Sequence, residues 1–211
     1  LAENYDYKAN TYETNKINLL SNPTSLYAKQ PTVYYGLMYL AKNAKKEVKI
    51  HTPYIICNDY MYNELKNIKV PTTIMTNSAE NNGNIFGAVD YLNHKKDIIN
   101  TGVTIKEYEG GISYHGKSMT IDDDIAIVGS FNMDMRSAYI DTELMLVINS
   151  KDINKQLKAS MEEYEKKAAT VKNETEYSHI PEGMKMKELS DKKKNIKAWF
   201  GWAMNGLRFL F

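Results

Sequence analysis

The stretch YHGKSMTIDDDIAIVGSFNMD, Tyr114 to Asp134, decides how the rest of the chain is read. Its start alternates, so a regular strand would put His115, Lys117, Met119 and Ile121 on one face. His115 and Lys117 would then stand together at one end while Met119 and Ile121 enter the core. Asp122 has the opposite parity and opens an acidic turn. It is expected to hold that turn or a neighbouring strand rather than join the His/Lys pair. Gly129 permits a bend, and Ser130 and Asn132 offer a hydroxyl and an amide. With Lys117 these are donors suited to an oxyanion, phosphate above all. Imidazole, with an ordinary pKa of about 6.5, can attack when neutral or donate a proton when charged. Glu143, on the next predicted strand, is a carboxylate that could fix an imidazole tautomer.

Around this stretch, helical and strand patterns alternate. VYYGLMYLAKNAKK spaces Val33, Leu37, Leu40 and Ala44 as a helix, and EVKIHT alternates as a strand. NDYMYNELKNI reads as a helix capped by Asn58 or Asp59. PTTIMT, a helix over IFGAVDYLNHKKDIIN and a strand GVTIKEYE follow. The opening stretch reads as a hairpin about DDD or as two neighbouring strands, and TELMLVI is another strand. The expected fold is α/β: a mixed β-sheet flanked by helices, with a helical C-terminal extension. Three segments result: a polar, irregular stretch 1–31, a core unit 32–150, and an extension 151–211. Lys151 to Val171 reads as a charged helix. The tail, drawn as a helix, puts Ile196, Trp199, Phe200, Ala203, Leu207, Leu210 and Phe211 on one face. Lys197, Gly201, Asn205 and Arg208 lie opposite. It is too short to span a bilayer, so it packs within the protein or lies at a membrane surface.

Composition narrows the classes. The chain has 211 residues, 27 basic against 26 acidic, with net charge +1. That balance argues against a dedicated nucleic-acid binder. The single cysteine, Cys57, sits in an apolar run and reads as a buried small hydrophobe. Adjacent carboxylates at Asp122 to Asp124 point apart in a tight turn, which argues against a metal site. The sequon at Asn173 carries no weight without a known compartment.

The joint pattern is His-x-Lys-x4-Asp-x6-Gly-Ser-x-Asn. Six fixed positions at roughly 1 in 20 each make a chance match rare. The segment HGKSMTIDDDIAIVGSFN resembles the signature of the phospholipase D superfamily, the HKD motif. His115, Lys117, Asp122, Gly129, Ser130 and Asn132 fill it. The continuation MDMRSAYIDTE resembles the subfamily containing bacterial cardiolipin synthases, with Asp141 where that subfamily has Asn and with Glu143 kept. KIHTPYI, TTIMTNS and GVTIKEYEGGISYHGK resemble the segments leading to its second signature.

The resemblance implies a phosphodiesterase or phosphatidyltransferase that uses no metal and no cofactor. Two signatures face one another. One His forms a phosphohistidine and the other serves as acid and base. The implied catalytic residues are His115, Lys117, Asn132 and Glu143. Ser130 and Gly129 are implied at the substrate, and Asp122 in structure. Asn77 and Ser78, near the pocket mouth in the family, are further phosphate-donor candidates. The implied partners are a phospholipid, a second HKD half and a membrane surface, with localisation at the membrane.

Only one signature is present. His94 reads as a solvated helix position and His179 lies in a polar stretch. His51 reads as a strand residue, or else lines the pocket beside Tyr54. Three arrangements fit: the C-terminal half of a two-signature enzyme, a single-signature homodimer, or an inactive protein. The first position, Leu1, and the lipid-enzyme character of the flanks favour the first, with His115 as acid/base. A homodimeric phosphodiesterase acting on nucleic acid is the alternative. A third is a membrane-associated, non-enzymatic fragment.

Overall fold

The computed structural model describes residues 6, 8, 9, 11–24, 27, 29–200, 206 and 208–210. The elements in chain order are β1 (Lys16–Ser21), α1 (Thr32–Lys42), β2 (Val48–His51), β3 (Ile55–Ile56), α2 (Asp59–Lys66), β4 (Thr72–Asn77), α3 (Ile85–Ile99) and β5 (Thr104–Tyr108). They continue as β6 (Ser118–Ile121), β7 (Ile125–Gly129), β8 (Met133–Asp134), α4 (Met135–Tyr139), β9 (Leu144–Asn149), α5 (Lys151–Glu165), β10 (Ala168–Val171), β11 (Tyr177–His179) and α6 (Asp191–Phe200). A short 3-10 helix, Arg208–Leu210, follows.

The main sheet runs β1-β9-β7-β6-β2-β4-β5-β10-β11. β2, β4 and β5 are parallel, as their helical crossovers require, and β6 returns antiparallel to β2. Val48, Ile50, Met119, Ile121, Ile127, Met145 and Val147 are buried in the main core with Val33, Leu37, Met38 and Ala41 of α1. Asn58 and Asn84 start α2 and α3 by accepting backbone N–H bonds from Met61, and from Phe86 and Gly87. A second, two-stranded sheet pairs β3 with β8 in parallel, tying the PYIIC segment to the residues just after Ser130.

The mixed sheet with flanking helices agrees with the pattern in the sequence, but both flanking segments differ from expectation. Residues 16–21 are not irregular. They form the edge strand β1, with Ile17, Leu19 and Leu20 opposite Ile148, Leu146 and Met145. The extension is not simply helical either. The predicted helix ends at Glu165, and Ala168–Val171 pairs antiparallel with β5, with β11 outside it. Small, buried Ala168 and Ala169 fit against β5, and this tertiary pairing overrides the charged helical pattern before them. His115 to Lys117 precede β6 instead of forming its first turn of pleat.

In the tail, Ile196 is half-buried and Leu210 exposed. The side chains of Trp199 and Phe200, and all of Gly201, Ala203, Asn205, Leu207 and Phe211, lie outside the described residues. Arg208 is not on a solvated face. Its guanidinium holds the buried Asp90 carboxylate at 2.6 and 3.1 Å and the Cys57 carbonyl at 2.9 Å. Cys57 is buried, and burial raises its thiol pKa.

Candidate active site

The hairpin β6–β7 and the strand β9 converge where the opening stretch turns. Gly129 N donates to Lys117 O at 3.2 Å, and Ser130 N donates to Leu144 O at 2.9 Å. This binds the His/Lys segment and the Ser/Asn segment into one end of the sheet. Gly129 is needed for room rather than for a bend. A Cβ there would meet Leu144 O at 2.1 Å and Met145 Sδ at 2.6 Å.

His115 and Lys117 lie side by side. Lys117 Nζ donates to His115 O at 2.8 Å and sits 3.2 and 3.3 Å from the two ring nitrogens. Burial, then the neighbouring ammonium, hold the His115 pKa below its ordinary value. Burial also lowers Lys117, against the opposing pull of Glu143 and Asp134. The ring edge of Tyr54 faces His115 at 6.3 Å between centroids.

On the loop that follows Gly129 stands a cluster of polar side chains. Ser130 Oγ donates to Glu143 and accepts from Leu144 N at 3.0 Å. Ser137 Oγ donates to Glu143 Oε1 at 2.8 Å. It accepts from Asn132 N at 3.2 Å and Asn132 Nδ2 at 3.3 Å. Asp134 caps α4 by accepting Ser137 N at 2.6 Å. Asn132 Oδ1 is buried without a partner among the described residues. Glu143 therefore orients the Ser/Asn loop, and it makes no hydrogen bond with His115. A tautomer-fixing role for Glu143 is not what its bonds provide.

Asp122 stands apart from the pair. With φ +51°, it presents its carboxylate to the backbone N–H groups of Lys45, Lys46 and Glu47 at 2.7–3.2 Å. Asp123 pairs with Lys46, leaving the acidic turn without convergent carboxylates. Among the described residues, no group of three or more His, Cys, Asp or Glu side chains is arranged to hold a metal ion.

Other histidines and donors are accounted for by their contacts. His51 is buried, with Nε2 3.2 Å from Glu165 Oε1 and its ring against Tyr114. His94 Nδ1 is 2.9 Å from Asp97 Oδ2. Asn77 is buried and engages Pro53 O and both backbone polar groups of Tyr114. Ser78 Oγ donates to Glu109. Asn77 and Ser78 thus hold the loops beside the site and are not free phosphate donors. Ser137 and Asp134 escaped the sequence reading. The Asp-x-x-Ser spacing of a helix cap was the available signal for both.

Chemically, an imidazole beside an ammonium, with a hydroxyl and an amide on the adjoining loop, can attack phosphorus when neutral or protonate a leaving oxygen when charged, while the cation holds phosphoryl oxygen.

The profile of the family described as "Cardiolipin synthase, PLD-like domain" matches residues 37–164, more than half of the chain. Cardiolipin synthase 1 of Staphylococcus epidermidis (strain ATCC 12228 / FDA PCI 1200) is 30% identical over 159 residues, covering 74% of this chain and 32% of that protein. Cardiolipin synthase 1 of Staphylococcus aureus (strain COL) is 26% identical over 192 residues, 87% of this chain and 38% of the other. The chain thus spans about a third of the length of these relatives. Among solved structures, phosphatidylserine synthase of Haemophilus influenzae Rd KW20 superposes with TM-score 0.67 at 16% identity, over 92% of this chain and 48% of that one. Nuc of Salmonella typhimurium, a phospholipase D family member, gives 0.59 at 16% identity, over 74% of this chain and 97% of its own.

Proposed function

Because the chain belongs to the cardiolipin synthase, PLD-like domain family, we propose that it is one catalytic half of a phospholipase D-type phosphatidyltransferase or phosphodiesterase. The carrying observation is the side-by-side placement of His115 and Lys117, with the Lys117 carbonyl bonded to Gly129 N at the start of the Gly-Ser-x-Asn loop. The substrate is a phospholipid, and cardiolipin synthesis is the most specific version. One histidine attacks phosphorus, forming a P–N bond as the P–O bond to the leaving alcohol breaks. The other gives that alcohol a proton, then takes one from the incoming alcohol or water, whose oxygen displaces the histidine. His115 is assigned the acid/base role and the second half supplies the nucleophile. Lys117 and Asn132 hold phosphoryl oxygens, with Ser130, at the start of the donor loop, beside the substrate and Glu143 fixing that loop.

A second half also fits the surface. Leu19, Leu146 and Val128 align across β1, β9 and β7 on one sheet face, and Ile17 and Leu144 extend the row. Leu19 is 62% exposed and Leu144 47%. Such an aliphatic strip beside Ser130 supports coverage by another layer. No helix among the described residues is long and apolar enough to cross a membrane. The phospholipid is met at a membrane surface. A homodimer of this chain is the second reading, since the sequence holds a single His-x-Lys signature.

The test uses the full-length protein with fluorescent phosphatidylglycerol. His115→Ala should abolish turnover while a histidine still becomes labelled by radioactive phosphatidyl group. Loss of labelling as well would make His115 the nucleophile, and unchanged turnover would overturn the proposal. DNA as substrate separates the nuclease alternative.

A further inference from the structure

Lys193 lies beyond the family-matched residues 37–164, yet it is buried while its neighbours Lys192 and Lys194 on α6 are exposed. Its Nζ donates to three backbone carbonyls of one loop: Ala79 at 2.8 Å, Glu80 at 2.6 Å and Asn82 at 3.0 Å. An ammonium has three donors, and all are used. The Glu80 carboxylate stands 3.7 Å away and accepts the N–H of Ser190, the residue before α6. A buried cation satisfied entirely by carbonyls of one loop fixes that loop more stringently than an exposed ion pair would.

The same loop, together with Asn77 at the end of β4, grips the residues that lead into His115. Asn77 Oδ1 accepts Tyr114 N at 2.7 Å and Asn77 Nδ2 donates to Tyr114 O at 2.9 Å. Asn81 Nδ2 donates to Ile112 O and Asn77 Oδ1, each at 3.2 Å. Gly83 N donates to Ser113 Oγ at 3.2 Å. A second route runs through the aromatic wall. Gly87, in the first turn of α3 that Asn84 caps, leaves its space to the Tyr54 ring, which faces His115.

We propose that Lys193 is a positioning residue: by gathering the carbonyls of Ala79, Glu80 and Asn82 it fixes the loop that holds Ile112 and Ser113 and braces Asn77 against Tyr114, and thereby sets the imidazole of His115. This rests on the reading of His115 as a reacting group. The C-terminal strap is on this view part of the site, although it lies outside the matched family region.

The test compares Lys193→Met, which keeps the apolar stem, with wild type in the full-length protein. Amide exchange across 112–117 should rise about tenfold while exchange in α1 and in β6–β7 stays unchanged. The pH midpoint of His115, followed by NMR, should move, and kcat should fall more than KM changes. In Lys193→Ala, added ammonium or methylammonium should refill the carbonyl triad and restore slow exchange at 112–117. Lys193→Gln, which retains donors, should show a smaller change and serves if the others fold poorly. Unchanged exchange at 112–117, or a rise spread evenly through the chain that no amine reverses, would overturn the proposal and leave a role in stability alone. Exchange and titration need no turnover, so failure of the lipid reaction would be told apart from failure of this inference.

Discussion

Ser137 Oγ donates to Glu143 Oε1 at 2.8 Å and accepts the backbone N–H of Asn132 at 3.2 Å. One buried hydroxyl therefore couples the carboxylate to the amide across the candidate site. Ser137→Ala leaves Glu143 short of a donor in a buried place, so stability should fall by about 1–3 kcal/mol in urea unfolding. Asn132 should lose its register, and lipid turnover should fall roughly 10- to 100-fold. Wild-type turnover in a folded variant would show that the coupling does not matter to the chemistry.

Gly129→Ala should be more damaging than its size suggests. The new methyl would press on a backbone carbonyl, Leu144 O, which cannot swing away as a side-chain tip can. Opening β7 from β9 to admit it should cost about 2–3 kcal/mol. It should also break the Ser130 N to Leu144 O bond. Thermal melting measures the first effect, and exchange of the Ser130 amide the second.

Asp134 carries a pH signature. Burial pushes its carboxyl up from 3.8 to about 6, against the bonds from Ser137. A carboxyl raised in the folded state favours the protonated form. Its stabilisation is full below about 3.8 and is lost as pH rises through about 6. Asp134→Asn, which can still cap α4, should flatten this slope and gain up to about 3 kcal/mol at pH 7 relative to wild type. Identical pH–stability curves for the two proteins would refute the assignment.

Glu165 has the opposite sign. Burial would raise it, but the bonds from His51 and Lys106, with Lys49 near, outweigh burial and hold it at about 2. Its contribution is present above the ordinary 4.5 and is lost as pH falls through about 2. Glu165→Gln leaves Lys49 and Lys106 without their counter-charge, and should cost about 3 kcal/mol at pH 7. Chemical denaturation at pH 7 and pH 3 would measure both the loss and its reduction in acid.

What the sequence disclosed follows from which interactions are local. α2 and α3 carry their own Asn caps and spaced apolar residues, and the β6–β7 hairpin carries its acidic turn, so all three could be read from neighbours alone. β1 could not, because Lys16, Asn18 and Ser21 dilute it. Its partners Asn149, Val147 and Leu144 are far away in the chain. β10 was hidden because Ala168 and Ala169 gain strand character only from burial against β5. At the candidate site, the His-x-Lys pair and the Gly-Ser-x-Asn loop were visible as a pattern. The bond of Glu143 to Ser137 instead of His115 was not, since it depends on α4 folding back over the loop. The role of Gly129 as a gap for Leu144 O likewise needs the neighbouring strand to be seen.

The pairing of β1 with β9 has a consequence for synthesis. Lys16–Ser21 leaves the ribosome well before Leu144–Asn149, its only strand partner among the described residues. At about 5–20 residues per second, the early strand waits many seconds with its backbone N–H and C=O groups unpaired. During that wait the nascent chain carries an open strand edge that a holding chaperone can recognise, and its release has to await the synthesis of β9.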